Sequence, residues 1–184
     1  RVMNLGHFLK QSADLYPDRP AVIWGEHRWT WGEFNARVDA AATALAARGI
    51  GKGDRVLVQS RNSNAMFETA FACFKLGAVW VPVNFRLMPD DVAYIAEASG
   101  TCALLYDSKF TTHADAVLAR VSALKVVCGL DAAREGEAAW EDLIATSAGA
   151  VFPAVGVERD DPCWFFFTSG TTGHPKAAVL THGQ

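Results

Sequence analysis

The sequence predicts a doubly wound α/β fold, in which helices flank a largely parallel sheet. The first observation is that short apolar runs alternate with longer amphipathic segments between residues 55 and 128. Such runs indicate buried strands, and the segments between them are long enough for helices. The second observation is that a helix joins each strand to the next, and this connection normally gives parallel pairing through a right-handed crossover.

Two elements are predicted before residue 30. Asn4 can cap a first helix, which stops before Pro17. Runs at 21–24 and 28–31 then flank a two-residue loop that begins with glycine, and such a loop favours a type II′ hairpin turn. The side chains of the first helix that we expect to face the core are Leu5, Phe8, Leu9 and Leu15.

A long alanine-rich helix follows the hairpin. Thr30 and Glu33 have the spacing of a capping box, in which hydroxyl and carboxylate each satisfy a free backbone N–H. Gly49 is expected to end this helix. Its apolar stripe predicts core packing for Phe34, Val38, Ala41, Ala42 and Leu45.

The alternating region is expected to contain four strands and three helices. The strands are placed at 55–59, 78–83, 103–106 and 125–128, and the helices from 62 or 63 to 74, at 90–98 and at 113–122. Gly77 is expected to close the first of these helices. A short helix near 140–145 and a loose connection at 147–157 then lead to the end of the chain.

The final residues place a polar loop between two apolar runs. Residues 164–167 are expected to form a fully buried strand, and 177–180 a second short strand. Glycines in the loop allow positive φ and close approach to backbone, and successive N–H groups can form an anion-binding nest. The candidate phosphate-binding residues are Thr168, Ser169, Gly170, Thr171, Thr172, Gly173 and Lys176.

The loop does not have the spacing of a Walker P-loop. That motif would need glycine where Pro175 stands and Ser or Thr where Ala177 follows the lysine. On physical grounds alone, a turn-forming hairpin without ligand is as good an interpretation as a phosphate loop.

Composition limits the partners of the chain. A net charge of −3 over 184 residues argues against binding to nucleic acid. No apolar run approaches the ~18 residues of a membrane span, and the first residues lack the apolar core of a secretory signal. We therefore expect a cytoplasmic protein, which a fatty substrate would draw to membrane surfaces.

The cysteines and histidines give no metal signature. Cys73, Cys102, Cys128 and Cys163 are widely spaced, lack a CxxC pair and lie in apolar segments. Buried free thiols are therefore favoured over zinc ligands or disulfides.

The loop sequence resembles a known family. Thr168-Ser-Gly-Thr-Thr-Gly-His-Pro-Lys176, followed by Thr181-His182, is similar to the signature of the AMP-forming acyl-adenylating enzymes, which include acyl-CoA synthetases. The departure is Ala177, where the family usually has glycine. Residues 16–21, 74–87 and 91–95 are also similar to segments of these ligases, so the resemblance spans the chain.

The resemblance implies a reaction and roles for the loop residues. A carboxylic acid, expected to be a fatty acid, would react with Mg-ATP to give an acyl-adenylate, and coenzyme A would then form the thioester. The loop from Thr168 to Gly173 would hold phosphates, Lys176 would act as the catalytic cation, and Thr168 would touch Mg²⁺. For Asn84 and Arg86 we expect hydrogen bonds that fix a loop. His174 is expected to face solvent, and His182 to help start a following helix.

The resemblance also implies that residues 1–184 form the amino-terminal portion of the large adenylate-forming domain. The adenine site, the acyl pocket and the small C-terminal domain would lie beyond Gln184, so the fragment alone is predicted to be inactive. Two alternative functions stay open: a non-catalytic or truncated nucleotide-binding fragment, and adenylation of an acid for a carrier protein. Assembly as a homodimer is left open as well.

Overall fold

The computed structural model describes residues 3–168 and 173–184. Its secondary structure alternates helices and strands along most of the chain. The elements are α1 (Gly6–Leu15), β1 (Pro20–Trp24), β2 (His27–Thr30), α2 (Trp31–Ala46), β3 (Arg55–Gln59), α3 (Asn64–Leu76), β4 (Val79–Pro82), α4 (Pro89–Ser99), β5 (Thr101–Tyr106), α5 (Thr111–Arg120), β6 (Val126–Gly129), β7 (Ala138–Ala139), α6 (Trp140–Thr146), β8 (Pro162–Thr168) and β9 (Lys176–Thr181).

The main sheet has seven strands in the order β7-β6-β5-β3-β4-β8-β9. Every neighbouring pair is parallel except β8 and β9, which are antiparallel. The predicted doubly wound, largely parallel fold is therefore confirmed. The strands and helices expected between residues 55 and 128 are all present, and their ends lie within two residues of the predicted positions.

Side chains alternate between the two faces of the sheet and build two cores. On one face, Val56 and Val58 of β3 pack with α2, α3 and α6. On the other face, Leu57 packs with α4 and α5. This alternation follows from the two-residue period of a strand, and it explains why the central strands are apolar throughout.

The local turn and cap signals are confirmed. Gly25, the first residue of the loop, has a φ of +60°, whereas no described residue other than glycine has positive φ, so the φ of Glu26 is negative. A type II′ hairpin turn requires this combination. The Thr30 hydroxyl accepts from the N–H of Glu33 at 3.2 Å, and the Glu33 carboxylate accepts from the N–H of Thr30 at 2.8 Å. Gly77 ends α3 in the left-handed conformation.

Two core predictions are wrong. In α1, Leu9 is buried, but Phe8 and Leu15 are 54% and 61% exposed because the helix contacts α2 and α3 along a narrow stripe. The run 164–167 is not fully buried either, since Phe166 is 48% exposed. Its strand β8 pairs with the edge strand β9, and the residue opposite Phe166 is the small Ala178.

The side chains of the long helix behave as predicted. The five residues of its stripe are completely buried: Phe34, Val38, Ala41, Ala42 and Leu45. Within residues 3–168 and 173–184, no helix has both the length and the apolar character needed to cross a membrane.

Candidate functional site

The candidate site lies where the β8–β9 hairpin opens. Since β8 runs parallel to β4, and β4 to β3, its last residue leaves the sheet at the edge where those strands also end. Ligands of open α/β sheets bind outside the carboxyl ends of the strands. The candidate phosphate loop therefore begins at the edge of the sheet where this architecture places binding sites.

Two of the candidate residues face each other across the hairpin. Thr168 ends β8 and is paired with Lys176, the first residue of β9. Both side chains are exposed, so the hydroxyl and the ammonium group can reach a ligand without displacing core atoms. The strand pairing thus fixes the two ends of the loop side by side.

Gly173 is the remaining candidate that the structure describes. Its φ is +103°, a conformation that favours glycine, and a Cβ built there would meet no atom within 4 Å. The backbone is therefore open to a close approach. Ser169, Gly170, Thr171 and Thr172 lie outside the described residues, so their predicted phosphate contacts stay predictions.

His174 makes a contact that the sequence did not reveal. Its ring is exposed, as expected, but it also stacks on Tyr94 of α4 with ring centroids 4.4 Å apart and an interplanar angle of 21°. The segment after the loop is therefore held against the helical layer formed by α4 and α5. The position of Tyr94 within an amphipathic helix gave no signal for this role.

His182 lies in a turn directly after β9, and its side chain is buried. Its Nδ1 accepts a hydrogen bond from the N–H of Leu5 at 3.3 Å. Leu5 immediately precedes α1, so the ring contacts the start of the chain. No sequence signal could indicate this contact, because the two residues are 177 positions apart.

Asn84 fixes the loop that follows β4. Its Oδ1 accepts from the N–H of Arg86 at 3.0 Å, and its carbonyl accepts from the N–H of Leu87 at 3.0 Å. The Arg86 guanidinium lies over the ring of Phe85. The predicted loop-fixing role is confirmed for Asn84, whereas Arg86 takes part through its backbone N–H.

The thiols of the described chain are free. Cys73, Cys128 and Cys163 are buried, and Cys102 is half-buried. Burial raises the pKa of the Cys163 thiol to about 11, so it stays protonated at neutral pH. The described residues contain no group of three or more His, Cys, Asp or Glu side chains arranged for a metal ion.

Comparison with known proteins gives concordant results. The model of the AMP-binding enzyme family matches residues 9–184. A feruloyl-CoA synthase from Amycolatopsis is 36% identical over 187 residues, which cover 100% of this chain and 34% of that protein. The long-chain-fatty-acid–CoA ligase FadD13 of Mycobacterium tuberculosis is 35% identical over 184 residues, which cover 97% of this chain and 35% of that ligase.

A solved structure agrees with these matches. The inhibitor-bound N-terminal domain of FACL13 from Mycobacterium tuberculosis superposes with a TM-score of 0.87 at 34% identity, over 98% of this chain and 45% of that domain. The chain spans about a third of the length of the curated relatives that it matches.

Proposed function

We propose, on the premise that the chain belongs to the AMP-binding enzyme family, that the protein carrying it activates a carboxylic acid with Mg-ATP and transfers the acyl group to coenzyme A. The observation that supports this most is the pairing of Thr168 with Lys176 at the carboxyl-end edge of the sheet. The pair brackets the loop whose sequence resembles the phosphate-binding signature of this family.

In the proposed first step, a carboxylate oxygen of the substrate attacks the α-phosphorus of ATP. The bond from that phosphorus to the bridging oxygen breaks, and pyrophosphate leaves with the electron pair. Negative charge grows on the leaving group, so fixed donors aimed at it lower the barrier. We assign this role to the ammonium group of Lys176 and to the hydroxyls and N–H groups of residues 168–173.

In the proposed second step, the thiol of coenzyme A loses its proton to solvent and its sulfur attacks the acyl carbon. The bond from that carbon to the phosphate oxygen then breaks, and AMP leaves with the electron pair. A carrier-protein thiol would react in the same way. Coenzyme A is favoured here because the two relatives described above are named as CoA-dependent enzymes.

Magnesium would enter the site as part of the Mg-ATP substrate. A hydroxyl oxygen is an acceptable magnesium ligand, and Mg²⁺ usually keeps water and phosphate oxygens with few protein ligands. The described residues fit this mode, since they offer the Thr168 hydroxyl and no ready-made acidic cluster. We propose that Thr168 contacts the ion.

The acid is proposed to be a fatty acid. FadD13 is named for long-chain fatty acids, whereas the feruloyl-CoA synthase is named for an aromatic acid, and the two are almost equally similar to this chain. The class of acid is therefore the part of the proposal that an experiment must decide.

We further propose that residues 1–184 are the amino-terminal portion of the large adenylate-forming domain, and that the protein works in the cytoplasm. The chain alone would hold phosphates but would not activate acids, because the adenosine and the acid must also be fixed in line with the α-phosphorus. Such positioning contributes ~7–11 kcal/mol to lowering a barrier.

The test is acid-dependent exchange of pyrophosphate into ATP by the full-length protein, with short, medium, long and aromatic acids. Lys176→Ala should lower the exchange rate by ~10²-fold, because a contact to the leaving group is lost. The control is Lys10→Ala, an exposed lysine on α1 that lies outside the site. Exchange with none of the acids would refute the function, and an unchanged rate in Lys176→Ala would remove this lysine from the mechanism.

A further inference from the structure

We propose that His182 is a positioning residue: its neutral ring fastens the base of the β8–β9 hairpin to the start of α1 and so sets the position of Thr168 and Lys176. The effect on catalysis rests on the proposed function, whereas the fastening itself does not.

Among the described residues, β9 has little packing of its own. It is the edge strand of the described sheet, and its residues from Lys176 to Leu180 are exposed there. Its hydrogen-bonded neighbour β8 is in register with β4 at a single pair, Trp80 and Trp164. His182, which follows β9 directly, is only 6% exposed and marks the point where the hairpin enters the core.

Three segments meet at this residue, two of them at its ring and one at its backbone N–H. Nδ1 accepts from the N–H of Leu5 at the start of α1, and the ring lies edge-on to Phe74 of α3 with centroids 6.4 Å apart. The N–H of His182 donates to the carbonyl of Asp161, just before β8, at 3.1 Å. The ring therefore contacts α3 and the start of α1, while the backbone N–H of the same residue holds the end of β9 to the start of β8.

The geometry requires a neutral ring. An Nδ1 that accepts a hydrogen bond cannot carry a proton, so the proton must lie on Nε2, which has no hydrogen-bond partner among the described residues. Burial lowers the pKa of His182; nearby Asp161 opposes this effect and Lys52 adds to it. These two charged groups form an ion pair with each other at 2.6 Å, while α1 presents a backbone N–H to the ring and α3 presents Phe74.

A small rotation of the hairpin about His182 would displace the loop by a much larger distance, because the loop lies at the far end of β9. Lys176 lies six positions before His182, which is ~20 Å of extended strand at ~3.3 Å per residue. A tilt of ~3° at the base would move the loop by ~1 Å, and a displacement of this size can cost ~10²-fold in rate.

The test compares three variants. His182→Leu removes the acceptor, whereas His182→Asn keeps an oxygen in place of Nδ1 and does not titrate. Leu5→Pro removes the donor N–H at a residue whose φ of −57° suits proline. His27→Leu, a change at an exposed histidine of β2, is the matched control.

Two readouts are measured: hydrogen exchange of the β9 amides in each variant, and pyrophosphate exchange by the full-length protein between pH 5.5 and 8. We expect faster β9 exchange and ~10²-fold lower kcat/KM for ATP in His182→Leu and Leu5→Pro. In His182→Asn, kcat/KM for ATP should stay within ~3-fold of that of the original protein, and the activity should fall less between pH 8 and pH 5.5, because Asn does not titrate.

Unchanged β9 exchange in both His182→Leu and Leu5→Pro would overturn the proposal, as would His182→Asn being as impaired as His182→Leu. If His182→Leu does not fold, Leu5→Pro and His182→Asn decide between these outcomes. If the unmodified full-length protein shows no pyrophosphate exchange, the proposed function fails, and hydrogen exchange still decides whether His182 fastens the hairpin.

Discussion

The buried carboxylate of Glu68 offers a quantitative test of how the helical layer is held together. Its side chain is fully buried on α3 and accepts from Arg37 Nε at 2.5 Å, from Arg37 Nη2 at 3.2 Å and from Trp140 Nε1 at 2.8 Å. Arg37 also pairs with the exposed Glu141 at 2.6 Å. Burial lowers the pKa of Arg37, but Glu68 and Glu141 together raise it by more. The net pKa is therefore above its ordinary value, and the guanidinium stays charged.

The structure predicts unequal costs for removing the two partners. Glu68→Leu leaves the buried N–H of Trp140 without an acceptor but leaves Arg37 paired with Glu141, so we expect a loss of about 3 kcal/mol. Arg37→Leu leaves a fully buried carboxylate without a cation, and we expect a loss of about 4–5 kcal/mol. Because the partners interact directly, the double variant should lose less than the sum of the single losses.

Urea unfolding followed by circular dichroism measures these free energies. The control is Lys10→Leu, since the Lys10–Asp14 pair is exposed and should contribute less than about 0.5 kcal/mol. A cost for Glu68→Leu equal to that of the control, or additive costs in the double variant, would show that Glu68 and Arg37 do not form a stabilising buried pair.

Three further predictions concern pH, thiols and the isolated chain. Burial raises the pKa of Glu137, but hydrogen bonds from Tyr106 and Arg134 lower it by more, so the net pKa is below its ordinary value. Its contribution to stability is therefore full above pH ~4.5, the unfolded-state pKa, and is lost as the pH falls through the lower folded-state pKa. Urea midpoints at pH 7 and pH 3 should therefore differ less in Glu137→Gln than in the original chain, and an equal difference would contradict this. In native buffer a thiol reagent should modify Cys102 first, and Cys73, Cys128 and Cys163 only on unfolding; rapid labelling of two of these three would show that they are not shielded. The 184-residue chain, incubated with ATP, magnesium and the acid panel, should release no acid-dependent pyrophosphate, and turnover with any acid would mean that the adenylation site is complete within it.

The features that the sequence predicted well depend on neighbouring residues. The capping box of Thr30 and Glu33, the left-handed Gly77 and the two-residue hairpin turn are all decided within four or five positions. The parallel sheet followed from the alternation of strands and helices, because the crossover rule leaves few other topologies.

The features that the sequence did not reveal depend on distant partners. Glu68 and Lys75 are charged residues of a helix, yet both are buried, because Arg37 and Asp39 of α2 lie opposite them. Phe8 is apolar yet exposed, since the helix that carries it touches the core along a narrow stripe. Periodicity identifies which side chains share a face, but it does not identify the charged groups or open spaces that a distant element brings to that face.

The central claim, that the loop between Thr168 and Lys176 holds a polyphosphate, is tested most directly by titrating the isotope-labelled chain with tripolyphosphate and following its amide NMR signals. We expect saturable shifts concentrated at Thr168, Gly173 and Lys176, and a clear loss of affinity in Lys176→Ala while the rest of the spectrum keeps its dispersion. Saturable shifts elsewhere in the chain with these three signals unmoved, or equal affinity in Lys176→Ala, would contradict it.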